Sequence, residues 1–127
     1  MSMSNASESA LLNLLFNNTD WANVGDAAGL QNSAEAGSFY VALHTADPTD
    51  AGNQTTSEAS YTGYARVAVA RTGGGWTVSG NQVSNTATVQ FGECTAGSAT
   101  VTHFSEGLLA SGAGDILSRD RKSTRLN

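Results

Sequence analysis

The sequence predicts a mainly β domain, an antiparallel β-sandwich or jelly-roll-like fold, with a single helix at the N terminus. Apolar and polar residues alternate in several short segments, and Gly-, Ser- and Asn-rich stretches separate these segments at intervals of roughly 8 to 15 residues. Only residues 5–18 have the apolar spacing of a helix. The composition agrees, because Gly, Ser, Thr, Ala and Asn are abundant and only 13% of the 127 residues are charged.

The predicted helix, NASESALLNLLFNN, covers residues 5–18. We expect Asn5 or Ser7 to cap its first turn, and Glu8 lies near the positive end of the helix dipole. A broad apolar face follows, formed by Leu11, Leu12, Leu14, Leu15 and Phe16. Two interpretations of this face remain open: the helix covers one end of a sheet, or it docks onto a neighbouring subunit.

A strand, a polar loop and a second strand are predicted over residues 39–71, the centre of the fold. The first strand alternates, with one face formed by Phe39, Val41 and Leu43 and the other by Tyr40, Ala42 and His44. This alternation predicts a strand with one buried face. Pro48 is the only proline in the chain and predicts a turn directly after Asp47. After the small, polar residues of the loop, alternation resumes and predicts the second strand, Tyr64–Arg71.

Further strands are predicted towards the C terminus. Gly80 and Asn81 separate two short apolar segments, residues 76–78 and 82–83, which is the pattern of a tight β-hairpin. Alternating segments then predict strands at residues 86–91 and 99–104, and a last strand begins at residues 116–117. The glycine run at residues 73–75 matches no phosphate-binding motif and predicts a turn.

The charge distribution divides the chain at residue 118. Residues 1–118 hold two basic and ten acidic residues, a net charge of −8, which argues against nucleic-acid binding. The last nine residues hold four of the six Lys and Arg residues and resemble a translated sequencing adapter. We therefore expect one domain over residues 1–118 and a non-native or disordered tail over residues 119–127. No apolar run is long enough for membrane insertion.

The residue types that carry chemistry do not form a recognisable catalytic pattern. Cys94 is the only cysteine and predicts neither a disulfide nor a zinc site. His44 has Asp47 and Asp50 nearby in sequence, but we favour a local structural role for it over metal binding. No GxSxG motif is present. We expect a protein that is not an enzyme and that uses no catalytic residue, cofactor or metal.

Two motifs carry a family resemblance: LHTADPTDAG at residues 43–52 and YTGYARVAV at residues 61–69. Over residues 10–117 the chain resembles small virion proteins of tailed bacteriophages, of the type labelled tail fibre or minor tail protein. The resemblance implies a structural virion component with a short helix before the first motif and a Gly/Thr/Ser-rich β region after the second. The structural residues within these motifs are Leu43, His44, Asp47, Pro48, Tyr64 and Arg66.

The favoured function is therefore a tail fibre or minor tail protein that acts by subunit assembly, as a homo-oligomer bound to other phage virion proteins. It would be made in the host cytoplasm and located in the virion. The alternatives are a capsid decoration protein and a carbohydrate-binding module that recognises a host surface glycan. Candidate interface or glycan contacts are Tyr40, Tyr61 and Trp76. Arg66 and Arg71 are each expected to pair with a carboxylate.

Overall fold

A computed structural model describes residues 1–122 of the chain and confirms the mainly β class. One N-terminal helix precedes six strands, which form two antiparallel sheets. Their bounds are α1 Asn5–Asn17, β1 Ser38–His44, β2 Val67–Ala70, β3 Trp76–Ser79, β4 Gln82–Asn85, β5 His103–Gly107 and β6 Ile116–Arg121. The four-stranded sheet has the order β2-β1-β5-β6, and β3 and β4 form the second sheet. Within the described residues, no helix is both long and apolar enough to span a membrane.

Helix α1 forms where it was predicted, but its N-cap lies one residue further upstream. The N-cap is Ser4, whose hydroxyl accepts a hydrogen bond from the backbone N–H of Ser7. The expected caps, Asn5 and Ser7, both lie inside the helix. The C-cap is Asn18, which adopts the left-handed conformation (φ 52°) and donates its N–H to the carbonyl of Asn13.

The chain divides into two compact units, and the first consists of residues 1–38 and 69–88. Within it α1 packs against β3 and β4. The rings of Phe16 and Trp76 pack edge to face, with their centroids 5.0 Å apart. Both rings are buried. Arg71 donates to the carbonyls of Leu14 and Leu15, which are among those that the helix itself leaves unpaired.

Among the described residues, the second unit consists of residues 39–68 and 89–122. Antiparallel pairing joins β1 to β5, from Tyr40 opposite Gly107 to His44 opposite His103. Strand β6 pairs with the edge of β5 opposite to β1, also antiparallel. A bulge shifts the register between Glu106 and Gly107. The turn residue Pro48 and Gln54 of the following loop are both fully buried.

The expectation that β1 buries only one face is wrong. Phe39 and Val41 are buried, but so are Ala42 and His44 on the opposite face. The second face is covered because the polar loop folds back over it. Ala59 donates its N–H to the carbonyl of Leu43, and the Thr56 carbonyl contacts the His44 ring.

Three strand predictions need correction. The strand predicted over Tyr64–Arg71 shortens to β2. Tyr64 closes a turn by donating its N–H to the Tyr61 carbonyl, and residues 65–66 belong to no strand. Residues 86–91 form no strand in the described chain. Their side chains alternate in polarity, but no neighbouring strand pairs with them. The strand predicted over residues 99–104 begins only at His103. The hairpin turn at Gly80 and the last strand are confirmed.

Strand β6 continues to Arg121, so it includes the first three residues of the expected tail. Lys122 then donates its N–H to the carbonyl of Thr102 at 2.8 Å. Residues 123–127 lie outside the described residues. The non-native origin of residues 119–127 and the single-domain boundary at residue 118 remain predictions.

The first unit supplies a stability prediction. Phe16→Ala should lower the free energy of unfolding by about 3 kcal/mol, because it leaves a cavity beside Trp76. Urea denaturation followed by Trp fluorescence measures the change. The control is Leu12→Ala on the same helix, which should cost clearly less because Leu12 is only half-buried. Equal losses for the two variants would contradict the packing described here.

Candidate functional site

An ion pair between Glu58 and Arg66 forms the centre of the site. Arg66 approaches the carboxylate with two nitrogens, Nε to Oε1 at 2.7 Å and Nη2 to Oε2 at 2.8 Å. The Arg66 side chain is 3% exposed and that of Glu58 16%. Such a planar, two-bond arrangement is the strongest form of an ion pair and cannot be reproduced by Lys. It confirms the expectation that Arg66 pairs with a carboxylate.

Tyr64 connects this ion pair to β1. Its hydroxyl donates to Glu58 Oε1 at 2.8 Å and accepts the backbone N–H of Leu43 at 3.1 Å. The Tyr64 ring stacks on Phe91 and meets the Tyr61 ring at an angle of 64°. We call Glu58, Tyr64 and Arg66 the Glu58 cluster. Two of its members, Tyr64 and Arg66, belong to the sequence motif YTGYARVAV.

The ionisation states in the Glu58 cluster are fixed by its hydrogen bonds. Burial raises the pKa of Glu58, but the hydrogen bonds from Arg66 and Tyr64 outweigh it, and the pKa lies below its usual value. Burial raises the pKa of Tyr64, and its bond to the Glu58 carboxylate adds to this effect. The bond to Glu58 also raises the pKa of Arg66. At neutral pH the cluster therefore holds one anion, one cation and a neutral phenol.

The loop between β5 and β6, residues 108–115, is attached to the Glu58 cluster by Arg66. Arg66 Nη1 donates to the carbonyl of Leu109 at 3.0 Å, and Nη2 donates to that of Gly112 at 2.8 Å. Gln54 holds the same loop from the other side. Its Oε1 accepts the Leu109 N–H at 2.9 Å, and its Nε2 donates to the Leu109 carbonyl at 3.1 Å. The loop is thus positioned by two side chains before any ligand or partner binds.

The buried Gln54 fits only because two glycines face it. A Cβ atom built on Gly107 would lie 2.2 Å from Gln54 Cδ, and one on Gly114 would lie 2.2 Å from Gln54 Oε1. These distances are far below any allowed contact, so both positions need glycine while Gln54 is in place. Because Gln54 is fully buried, its amide must find its partners within the protein.

A second polar pair, His44 and Ser105, lies in the same unit. His44 Nε2 is 2.8 Å from Ser105 Oγ, and Nδ1 is 2.8 Å from the carbonyl of Thr56. The spacing is that of a base and a nucleophile, but both residues are 0% exposed. Because the carbonyl of Thr56 can only accept, Nδ1 donates to it, and Nε2 accepts the Ser105 hydroxyl. Since both side chains are fully buried, the pair joins β1, β5 and the polar loop as a structural contact.

The two loop carboxylates that are near His44 in the sequence, Asp47 and Asp50, both pair with Arg119. Arg119 Nε is 2.7 Å from Asp47 Oδ1, and its Nη1 is 2.6 Å from Asp50 Oδ1. Asp47 Oδ1 also accepts the N–H of Thr49, and this bond, followed by the contact with Arg119, lowers the pKa of Asp47. Asp47 thus accepts a backbone hydrogen bond within the turn at Pro48. Among the described residues no group of three potential metal ligands is found.

A surface cavity of about 320 Å³ opens beside the Glu58 cluster. All of its lining belongs to the second unit. The cluster forms its polar part, and small residues form the rest: Ala59, Ala65, Ala110, Ser111 and Gly112. Because residues 110–112 belong to the loop held by Arg66 and Gln54, one wall of the cavity is fixed in advance.

The three candidate contact residues lie in different surroundings. Tyr40 on β1 and Tyr61 are half-buried, and the Tyr61 hydroxyl donates to the carbonyl of Gly92. Trp76 is only 4% exposed and packs on Phe16 in the first unit. Contact of these residues with a glycan or a subunit remains a prediction, and for Trp76 it would require the ring to be uncovered.

Sequence reasoning missed Gln54, Glu58, Ser105 and the loop contacts of Leu109. The sequence provided a partial indication of Glu58, because this carboxylate lies eight residues before Arg66, one of only two basic residues in residues 1–118. Gln54 and Ser105 carried none, because a buried Gln or Ser is indistinguishable in sequence from an exposed one. Arg71, expected to pair with a carboxylate, donates to the carbonyls of Leu14, Leu15 and Ala36.

The ion pair supplies a second prediction. Arg66→Met should lower the free energy of unfolding at neutral pH by about 3 kcal/mol, because it leaves a largely buried carboxylate without its cation. Adding Glu58→Gln to that variant should restore part of the loss. Urea unfolding measures both. The exposed Arg121→Met serves as control and should be nearly neutral.

The same pair makes stability depend on pH. Since the pKa of Glu58 is lowered in the folded chain, its contribution is complete above the usual carboxyl pKa and disappears as the pH falls through the lowered value. Glu58→Gln should therefore lose less stability than the unaltered chain as the pH falls from neutral through the usual Glu pKa of about 4.3 and below. Parallel pH profiles for the two proteins would contradict this assignment.

The Gln54 contact supplies a third prediction. Gly107→Ala should cost about 2 kcal/mol, since its Cβ would overlap Gln54. In a Gln54→Ala background the same substitution should cost little. The double variant should therefore lose less stability than the sum of the losses of the two single variants. Gly73→Ala is the matched control, because nothing lies within 4 Å of its Cβ position. If Gly107→Ala lowers the free energy of unfolding equally with and without the Gln54 side chain, the contact is refuted.

Comparison with known proteins adds one match. A family model described as "Podophage GP4 fiber I protein gp80" matches residues 2–119. The match includes both sequence motifs and every residue of the Glu58 cluster. Searches of curated proteins and of solved structures give no significant match.

Proposed function

Because the chain belongs to the podophage GP4 fiber I protein gp80 family, we propose that this phage fibre component acts by subunit assembly and without chemical turnover. The observation that carries the proposal is the family match, which spans residues 2–119 and therefore nearly the whole chain. The family is one of fibre proteins, which favours the fibre over the alternative of capsid decoration.

The chemistry of the second unit supports a role without turnover. His44 and Ser105 have the spacing of a catalytic pair, yet both are fully buried and no substrate could reach them. The exposed thiol of Cys94 lies beside the carbonyls of Ala96 and Gly97, and no base is among its contacts in the described chain. The Glu58 cluster is locked by hydrogen bonds that hold a loop in place.

We assign self-association to α1. Phe16 is its only buried residue, and the leucines of its apolar face are half-buried. A helix that keeps part of four leucine side chains accessible can bury them against a second copy of the chain. In this proposal the protein is a homo-oligomer, made in the host cytoplasm and incorporated into the virion with other phage proteins.

The test of this proposal measures both mass and location. Light scattering on the purified chain should give a multiple of the 13.0 kDa monomer mass. Leu11→Glu on α1 should shift the mass to that of the monomer with the CD spectrum unchanged. Ala6→Glu is the matched control, because Ala6 is exposed in the first turn, where a carboxylate is favourable. Phage particles made without the gene should lack fibre density in electron micrographs.

Two results would count against the proposal. A monomer at all concentrations would remove the self-association. Particles that carry complete fibres without the protein, or that carry the protein on the capsid, would remove the fibre role.

A further inference from the structure

The cavity beside the Glu58 cluster has the properties of a ligand site, and its lining includes none of the candidate glycan contacts Tyr40, Tyr61 and Trp76. We propose that it binds a single neutral sugar ring, an uncharged polyhydroxylated ring with one apolar face. This inference deepens the proposed fibre role by naming what the fibre subunit would contact outside the virion. It rests on the cavity's shape, its charge balance and the hydrogen-bonding groups that remain free.

The first argument is preorganisation. Residues 110–112, which form one wall, are held by Arg66 through the carbonyls of Leu109 and Gly112, and by Gln54 through both backbone groups of Leu109. A ligand therefore does not have to order the loop when it binds, and binding avoids that entropic cost. At about 320 Å³ the cavity lies at the small end of ligand sites and can accommodate one ring.

The second argument is charge balance. The lining holds one carboxylate and one guanidinium, and these two groups already neutralise each other through two hydrogen bonds. A charged ligand would find no unneutralised counter-charge here, and an anion would also be repelled by the net charge of −5 of the chain. Tyr64 adds no charge, because burial raises the pKa of its phenol. The cavity is therefore suited to an uncharged ligand.

The third argument is the set of hydrogen-bonding groups left over. Arg66 donates four of its five N–H groups to protein acceptors, which leaves one on Nη1. Glu58 Oε2 accepts one bond from the described residues and can accept another. Ser111 Oγ has no hydrogen-bond partner within residues 1–122 and is exposed. The Ser111 hydroxyl can donate or accept and the carboxylate oxygen can accept, which suits the hydroxyls of a sugar ring.

The remaining lining completes the match. Ala59, Ala65 and Ala110 present methyl groups, so the cavity combines a polar side with an apolar one. A sugar ring is likewise polar at its rim, where the hydroxyls lie, and apolar on its face, where the C–H groups lie. A purely apolar side chain would leave the free polar groups of Glu58 and Arg66 desolvated without partners, which is unfavourable.

The experiment is an NMR titration of the ¹⁵N-labelled full chain with glucose, galactose, mannose and N-acetylglucosamine, and separately with glucuronate. At least one neutral sugar should shift the amides of Ala65, Ser111 and Gly112 at millimolar concentration, the range expected for a single ring. Glucuronate should shift them less. Ala110→Leu, which fills the cavity, should weaken binding about tenfold or more, whereas Ala113→Leu in the same loop does not line the cavity and should leave binding unchanged.

A second variant protects the test against misfolding. If Ala110→Leu alters the whole spectrum, Ser111→Ala removes only a hydroxyl and should weaken binding by about two- to tenfold, the effect of one hydrogen bond. The proposal is overturned if no neutral sugar shifts the lining amides, if filling the cavity leaves binding intact, or if glucuronate binds as well as the neutral sugars. These outcomes are independent of oligomer mass and virion location, so the fibre role can stand when the sugar site fails.

Discussion

The ion pair between Glu58 and Arg66 is the interaction on which the second unit depends. Burying a guanidinium is unfavourable unless its charge is neutralised and its N–H groups find acceptors, and here both conditions are met. Glu58 takes two N–H groups, and the carbonyls of Leu109 and Gly112 take two more. The ion pair thereby helps to hold the loop of residues 108–115, which contains Gly112 and Gly114, in a defined conformation.

Buried polar side chains hold the loops of this protein in place, a role that apolar packing has in larger proteins. Only 39% of the residues are hydrophobic and 7% aromatic, so the apolar core is small. His44, Gln54 and Ser105 are each fully buried, and each has hydrogen-bond partners far away in the sequence. Polar contacts need defined partners and geometry, and a core built on them therefore favours one arrangement of the loops around it.

This construction suits a fibre component. Such a protein contributes surfaces, and it gains from loops whose conformation is set before binding because less entropy is lost on contact. The site that faces outward in our proposal, the cavity at the Glu58 cluster, is held by the same side chains that stabilise the unit. The surface that we assign to self-association lies on α1, in the first unit. The two proposed functions thus use different residues and can be separated by mutation.

The sequence by itself determined the mainly β class, helix α1, strand β1 and the hairpin turn at Gly80, because each depends on residues close together in the chain. It also marked Tyr64 and Arg66 through their motif, but not what they bind. Only the tertiary structure decided that residues 86–91 stay out of a sheet, that β1 is buried on both faces, and that Gln54 lies against Gly107. Strand pairing and the burial of a polar side chain depend on partners tens of residues away, and local periodicity carries no information about them.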